Sequence, residues 1–392
     1  MSEAPAPRIA ALDLTRGVAV LGILAVNISG FAGPTLAALT PDWQGDATLA
    51  DRIAFAAVFV LFEGKMRLLF TLLFGASMVL FIERVEAGGR DGTALQLRRL
   101  GWLFAFGWLH YALLWHGDIL TMYAMLGLVA LAFRNAAPLR LAIGALLFYL
   151  AWHALGMAGT AFAGFEAEAA APFVARAQAE TATLHAGFLD QVHTRAVTGW
   201  ASPFAVTIGS IGETVPLMLL GMALYRSGFF AGEWPAALLR RLASSGTGIG
   251  LGLTLALLAW CWRRDFPPGP MFAVLLYWAA LPHLLMGLGY AAALLLAAPR
   301  LLATGLGRRL EAAGRMAFSN YLGTSLVMTA LFSGWGLNLA GRFGAAALLG
   351  FVALGWGLML GWSPWWLARF RQGPLEWAWR SLTEWRVLPL RR

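Results

Sequence analysis

The chain has 392 residues, of which 59% are hydrophobic and only 12% are charged. Soluble domains carry about 25% charged residues, so this composition excludes an ordinary water-soluble protein and predicts a protein embedded in a lipid bilayer. The net charge of +9 does not indicate nucleic-acid binding, because the arginines fall in short segments between apolar runs. A single cysteine, Cys261, argues against a disulfide framework and a cysteine-rich metal site, and we expect no bound metal.

Apolar runs long enough to cross a hydrocarbon core of about 30 Å recur along the whole chain. The predicted spans lie near residues 15–36, 55–83, 99–116, 119–134, 139–160, 204–225, 238–261, 272–297, 316–334 and 344–367. We interpret the first run as a retained span rather than a signal peptide, because it is long and lacks a clear small-residue cleavage site. The sequence therefore predicts an all-α, polytopic membrane helix bundle of about ten transmembrane helices.

The arginines predict the orientation of these spans. With the N-terminus inside, the inner segments hold 21 arginines and the outer segments hold six, which favours both termini in the cytoplasm. The pair Arg263 and Arg264 is a local violation of this pattern. The chain has no clear repeat or linker, so we treat 1–392 as one integral membrane domain, with 161–203 as an outer-face helical lid between spans five and six.

Two polar residues of the third span lie on one helical face. Arg99 and His110 are eleven residues apart, close to three helical turns, which separates them by about 16 Å along the axis. Ionisable groups inside spans are expensive and often functional. A guanidinium at the inner mouth suits a phosphate-bearing ligand, and a deep histidine suits a general base. The alternative is an ordinary inner-face arginine and a histidine that bonds a neighbouring helix.

Three charged residues, Glu63, Lys65 and Arg67, interrupt the second span. The apolar stretch around them is longer than one straight crossing needs, so a helix break at Gly64 would leave 53–62 as a separate entry helix. The charges would then lie at the outer mouth, level with His110. The alternative is a snorkelling cluster in which Glu63 pairs with Lys65 or Arg67.

Other polar residues have structural explanations. His116 and Asp118, in the turn after the third span, are expected to be solvated, and Asp118 can cap the fourth span. Asp13 and Arg16 are spaced for an i,i+3 ion pair at the start of the first span. The remaining candidates inside spans are expected to form hydrogen bonds between helices: Asn27, His153, Glu213, His283 and Asn320.

Several short segments resemble the YeiB-like family (domain of unknown function family 418). They are Arg8-Ile9-x-x-Leu12-Asp13-x-x-Arg16-Gly17, Gly64-Lys65-Met66-Arg67-x-Leu69-Phe70, Gly117-Asp118-Ile119-Leu120-x-x-Tyr123-Ala124, Gly314-Arg315-Met316-Ala317-x-Ser319-Asn320-Tyr321-Leu322 and Gly373-Pro374-Leu375-Glu376-Trp377. These segments occur in order from about residue 8 to 386, nearly the whole chain. The family is grouped distantly with membrane acyltransferases, the acyltransferase-3 family and heparan glucosaminide N-acetyltransferase. Acyltransferase-3 proteins carry an arginine, ten residues and then a functional histidine, and Arg99 to His110 is similar.

The resemblance implies an O- or N-acyltransferase of the bacterial inner membrane. We expect cytoplasmic acyl-CoA, most simply acetyl-CoA, as donor, with its phosphates near Arg98 and Arg99 and with Lys65, Arg67 and Arg16 as further binding residues. His110 is the predicted general base, and Asp118 and Glu63 complete the catalytic set. The acceptor would be a small molecule, a sugar or a lipid at the outer face, and the oligomeric state stays open. A transporter or flippase with intramembrane charges along its path is the alternative, and a structural scaffold is a third.

Overall fold

The apolar runs form helices because a backbone inside a bilayer must satisfy its own hydrogen bonds. A computed structural model describes residues 10–162 and 170–392; Arg8 and residues 163–169 of the predicted lid lie outside the described residues. The helices are α1 (Ala10–Ala32), α2 (Leu49–Leu61), α3 (Lys65–Ala87), α4 (Gly92–Leu113), α5 (Leu120–Leu131), α6 (Pro138–Phe162), α7 (Ala170–His185), α8 (Phe188–His193), α9 (Ser202–Gly209), α10 (Ile211–Arg226), α11 (Ala236–Arg241), α12 (Thr247–Trp262), α13 (Pro268–Ala273), α14 (Ala280–Ala303), α15 (Gly305–Arg315), α16 (Ala317–Phe332), α17 (Ala345–Leu367) and α18 (Pro374–Glu384).

The architecture confirms the predicted all-α helix bundle. In the described part of the chain, the only β-type pairing is an isolated bridge between Phe370 and Arg391. Six helical stretches there are long and apolar enough to cross a membrane: Ala10–Ala32, Leu49–Ala87, Pro138–Phe162, Ala236–Trp262, Ala280–Ala303 and Ala345–Leu367. The pair α9 and α10, bent by 65°, makes a seventh if it counts as one span.

The three other predicted spans coincide with helices that differ from a simple crossing. α5 has 12 residues and α16 has 16, both short of the about 20 residues that a straight crossing needs. α4 has 22 residues but carries Arg98, Arg99 and His110. The count of ten spans and the orientation with both termini inside stay predictions.

Two of the helical stretches are interrupted. The expected break at Gly64 is confirmed: Gly64 has a φ of 72°, which glycine adopts without strain, and α3 begins directly after it. The second break, at Ser210 between α9 and α10, was not predicted. α3 and α10 then pack closely through glycines, since an added Cβ at Gly75 would lie 2.0 Å from the carbonyl oxygen of Met218.

The first half of α1 packs against α15 at similarly short range. An added Cβ at Gly314 would lie 1.8 Å from the carbonyl oxygen of Asp13, and one at Gly17 would lie 1.9 Å from that of Leu310. Glycines therefore set the separation of these helices. Asp13 and Arg16 form the expected ion pair at 2.6 Å on the same stretch of α1, which confirms that prediction.

The segment 170–203 is hydrogen-bonded to the bundle at several places. The Glu180 carboxylate on α7 accepts hydrogen bonds from the backbone nitrogen of Thr35 at 2.6 Å and from its hydroxyl at 3.1 Å. Arg195 donates to the carbonyl oxygens of Ala112 and Leu113, which are left unsatisfied at the end of α4. The role of this segment as an outer lid stays a prediction.

Candidate active site

A buried histidine and a buried carboxylate meet where α4 turns into α5. Nδ1 of His110 lies 2.9 Å from Oδ1 of Asp118, and their side chains are 0% and 1% exposed. Asp118 Oδ2 also accepts the backbone N–H of Thr121 at 2.8 Å, which confirms that Asp118 caps α5. The expectation that Asp118 is solvated is wrong, because its side chain is buried inside the bundle. His116, two residues earlier in the same turn, is exposed.

This arrangement defines the state of the imidazole. A carboxylate opposite Nδ1 holds the ring proton there and leaves the lone pair on Nε2. Among the described residues, Nε2 of His110 has no hydrogen-bond partner, although it is buried. His110 therefore has one nitrogen hydrogen-bonded to Asp118 and a second nitrogen without a partner among the described residues.

Two aromatic rings enclose the histidine. The ring centroid of Tyr321 lies 5.2 Å from that of His110, and the tyrosine hydroxyl donates to the carbonyl oxygen of Gly117 at 3.3 Å. Trp115 lies 6.5 Å from His110 on another side and stacks on Phe31 of α1 at 4.0 Å. An added Cβ at Gly117 would lie 2.3 Å from the Trp115 ring, so the turn needs glycine at this position.

A pocket of about 310 Å³ leads from the end of the bundle that carries Asp13 and Arg16 to this enclosure. We call it the arginine pocket, because Arg16, Arg84, Arg99, Arg315 and Arg380 line it together with the carboxylates Asp13 and Glu376. Its middle is walled by apolar and aromatic side chains. Leu120, Tyr123 and Tyr321 line it where it approaches the dyad, and His110 lies behind Tyr321.

Arg99 is held flat between two rings in the arginine pocket. Its guanidinium carbon lies 4.0 Å from the ring centroid of Phe81 and 4.4 Å from that of Trp379, so both faces of the cation are covered. The Trp379 indole nitrogen also donates to the Arg99 carbonyl oxygen at 2.9 Å. One of its N–H groups also lies 3.5 Å from the side-chain oxygen of Gln96, which lines the same pocket.

Glu376 at the start of α18 ties this helix to the start of α16. Its carboxylate accepts the backbone N–H groups of Phe318 at 2.9 Å and Ser319 at 3.1 Å, and it also bonds the Ser319 hydroxyl. α18 lies outside the candidate spans. Burial raises the pKa of the Glu376 carboxyl, although these hydrogen bonds oppose the shift.

The structure brings together some of the predicted site residues and separates others. His110 and Asp118 form the dyad, and Arg16 and Arg99 line the arginine pocket. Arg98 points elsewhere: it donates to the carbonyl oxygen of Thr383 at 2.8 Å and stacks on Trp385.

The charged residues around Gly64 do not line the arginine pocket. The Lys65 amino group is fully buried and donates to the carbonyl oxygen of Phe59 at 2.9 Å. Arg67 forms a salt bridge of 3.0 Å with Glu213 of α10. Among the described residues, Glu63 forms no direct salt bridge with Lys65 or Arg67, although both cations attract it at longer range, and it lines a second, smaller pocket.

Several residues of the arginine pocket were not predicted. Arg84, Arg315 and Arg380 were counted only as inner-face arginines, and Glu376, Trp379 and Tyr321 were not identified as site residues. They come from helices far apart in the chain, and no spacing rule connects them. The family-like segments around Arg315 and Glu376 were the only signal in the sequence. Among the described residues, no group of three or more His, Cys, Asp or Glu side chains could hold a metal ion.

Comparison with known proteins identifies the class to which this membrane helix bundle belongs. The family model "Protein of unknown function (DUF418)" matches residues 224–386. YeiB of Escherichia coli (strain K12) is 32% identical over 375 residues, which cover 95% of this chain and 95% of YeiB. YxaH of Bacillus subtilis (strain 168) is 32% identical over 407 residues, covering 96% of this chain and 94% of YxaH. The chain belongs to the YeiB-like DUF418 family. No solved structure matches it.

Proposed function

We propose that this protein is a transmembrane acyltransferase that takes an acyl group, most simply acetyl, from cytoplasmic acyl-CoA and passes it to an acceptor. The observation that carries the proposal is the arginine pocket. Five arginines line one end of this pocket, and apolar side chains line the part that approaches the buried His–Asp dyad. Such a pocket suits a ligand with an anionic head and a long, largely apolar arm.

The pocket mouth fits the phosphates of a CoA donor. Five arginines face two carboxylates there, so the lining has a net positive charge. Guanidinium groups bind phosphate oxygens through two parallel N–H bonds. Arg99 is the best placed, because Phe81 and Trp379 fix its plane and prevent it from swinging away.

The throat of the pocket fits a thin arm that carries the acyl group. Phe70, Phe74 and Leu103 are among its walls, and Tyr321 stands between the pocket and His110. A rotation of the Tyr321 side chain would bring the thioester carbonyl within reach of the dyad. The distance from Arg99 to His110, about 16 Å along α4, matches a donor held at one end and reacting at the other.

The dyad supplies general base catalysis. Asp118 holds the Nδ1 proton of His110, and Nε2 removes the proton from an acceptor hydroxyl or amine as that atom attacks the acyl carbon. The bond between acyl carbon and sulfur then breaks. The proton passes from Nε2 to the leaving thiolate, so that CoA leaves as the thiol and the dyad returns to its starting state.

Binding and turnover of acetyl-CoA by the purified protein test this proposal. We expect Arg99→Ala to weaken donor binding by about ten- to a hundredfold, the worth of one hydrogen bond to a charged group. His110→Ala should bind the donor and lose turnover. Arg98→Ala and His193→Ala are the matched controls, because Arg98 lies outside the pocket and His193 is exposed. If neither the wild type nor any variant binds an acyl-CoA, the proposal is wrong.

A transporter or flippase is the second candidate, and one observation favours it. The ion pair of Arg67 with Glu213 joins the first turns of α3 and α10, each of which follows a helix break. Interrupted helices whose first turns face each other within the membrane are typical of transporter sites. Uptake of solute into vesicles without any thioester, abolished in Glu213→Gln but not in His110→Ala, would support this function over acyl transfer.

A further inference from the structure

We propose that the protein has a second binding site, for a small alkylammonium group, in the pocket that Glu63 lines. This pocket is about 60 Å³ in volume and lies between α1, α2 and the start of α17. On a scale of 10–15 Å³ for each water, it holds on the order of four waters, enough for an ammonium group with a few carbon atoms. The site is independent of acyl transfer.

The lining of this pocket combines one carboxylate with several aromatic rings. Of the described residues that line this pocket, Glu63 alone is ionisable, and the other walls are almost entirely apolar. Four aromatic side chains contribute to them: Trp43, Phe55, Phe59 and Phe343. Aromatic faces with a nearby carboxylate attract organic cations, because the rings carry negative charge on their faces.

Glu63 forms no salt bridge within 4 Å among the described residues. Lys65 directs its amino group to the carbonyl oxygen and the ring of Phe59, and Arg67 is bonded to Glu213, so both cations act on Glu63 only at longer range. The Gly64 backbone N–H donates to the Glu63 carboxylate, which can accept further hydrogen bonds. An ammonium group in the pocket would add a cation in direct contact and further donors, which lowers the cost of a carboxylate within a span.

The pocket is separate from the arginine pocket and from the dyad. Both pockets are lined by residues of α1. Asp13 and Arg16 line the arginine pocket, and Ala25 and Ser29 line the Glu63 pocket. Ala25 lies about 14 Å from Arg16 along the helix axis. The dyad lies beyond the other face of α1, where Trp115 donates to the Gly30 carbonyl oxygen. A ligand of Glu63 is therefore not in contact with His110.

Calorimetric titration with ethylammonium chloride tests the site on the full-length protein in nanodiscs. We expect saturable binding by the wild type and a loss of about ten- to a hundredfold in Glu63→Gln, as for a hydrogen bond to a charged group. Asp46→Asn is the matched control, since Asp46 is an exposed carboxylate in the neighbouring loop. Propanol, which has a similar shape and no charge, should not bind saturably.

The outcomes separate the explanations. Equal affinity in Glu63→Gln and the wild type, equal binding of propanol, or no wild-type binding overturns the proposal. If Glu63→Gln does not fold, Trp43→Leu and the propanol comparison test the proposal instead. Loss of one aromatic wall should also weaken the binding of ethylammonium. Nanodiscs of phosphatidylethanolamine identify the source: weaker ethylammonium binding there than in phosphatidylglycerol indicates a lipid headgroup, and unchanged binding indicates a free amine.

Discussion

Nδ1 of His110 and Oδ1 of Asp118 lie 2.9 Å apart across the turn between two antiparallel helices, and neither side chain is accessible to water. The seven residues between them form the end of α4 and the turn. Trp115 fastens this turn to α1 through the Gly30 carbonyl oxygen, and Tyr321 fastens it to α16 through that of Gly117. The position of the imidazole is therefore set by three helices.

Substitution Asp118→Asn should lower acyl transfer by roughly 10²- to 10⁴-fold with little change in donor binding. The asparagine amide can donate to Nδ1, and the ring proton then moves to Nε2, where it blocks proton acceptance. Turnover and donor affinity of the purified variant measure this. Asp190→Asn, at an exposed acid on α8, is the control, and equal turnover in the two variants would contradict a base role for His110.

Substitution Trp379→Leu should weaken acetyl-CoA binding by about two- to thirtyfold, the range of one cation–π contact. The indole covers one face of Arg99 and donates to its carbonyl oxygen, so its loss frees the guanidinium to change orientation. Trp385→Leu is a matched control because Trp385 stacks instead on Arg98. An equal loss of affinity in both variants would mean that α18 acts only by general packing.

Donor binding should strengthen as the pH falls from neutral toward the ordinary glutamate value of 4.5. Burial raises the pKa of Glu376, so this carboxyl takes up its proton at a higher pH than an exposed one, and a negative charge disappears beside the phosphate-binding arginines. Glu376→Gln should bind more tightly at neutral pH and lose this part of the pH dependence. Titrations of donor affinity for the wild type and for Glu376→Gln between neutral pH and 4.5 measure this difference. If the two affinities change with pH in parallel, the pH dependence comes from the donor and not from Glu376.

Substitution Gly314→Ala should destabilise the protein by about 1–3 kcal/mol through overpacking. Its Cβ would collide with the Asp13 carbonyl oxygen, push α15 away from α1 and displace Arg16 and Arg315 from the pocket. Gly323→Ala on α16 is the control, since nothing lies within 4 Å of its added Cβ, and helix propensity alone should make it neutral or slightly stabilising. Thermal unfolding in detergent compares the two, and a Gly314→Ala protein as stable as the control would contradict the close packing.

The sequence predicts those features of the fold that depend on local pattern. Apolar runs locate the helices, Gly64 marks one break, and the spacing of Arg99 and His110 places both on one side of α4. The break at Ser210 has a weaker signal, the pair Gly209-Ser210, because Gly/Ser pairs permit a kink without requiring one. The burial of Asp118 also escapes the sequence, since whether a polar turn faces water depends on what packs above it.

The arginine pocket shows the same limit more strongly. Arg99 could be found from its spacing to His110, whereas Arg315 and Arg380 have no fixed relation to either in the sequence. Arginines near span ends satisfy the rule for membrane orientation wherever they are, and only the three-dimensional packing distinguishes those that converge on one cavity from those, like Arg98, that point elsewhere. The same holds for Glu63, because only the structure shows that Lys65 and Arg67 bond directly to Phe59 and Glu213 instead.

The arginine pocket draws its walls from both extremes of the polypeptide, residues 12–16 of α1 and residues 372–380 at α18. A chain that is still being synthesised and inserted has the His110–Asp118 turn long before it has Trp379 and Glu376. During biogenesis the dyad is therefore assembled without a cavity able to hold a charged ligand beside it. α18 therefore completes the arginine pocket, and a chain released before α18 is made would lack the pocket walls that Glu376 and Trp379 supply.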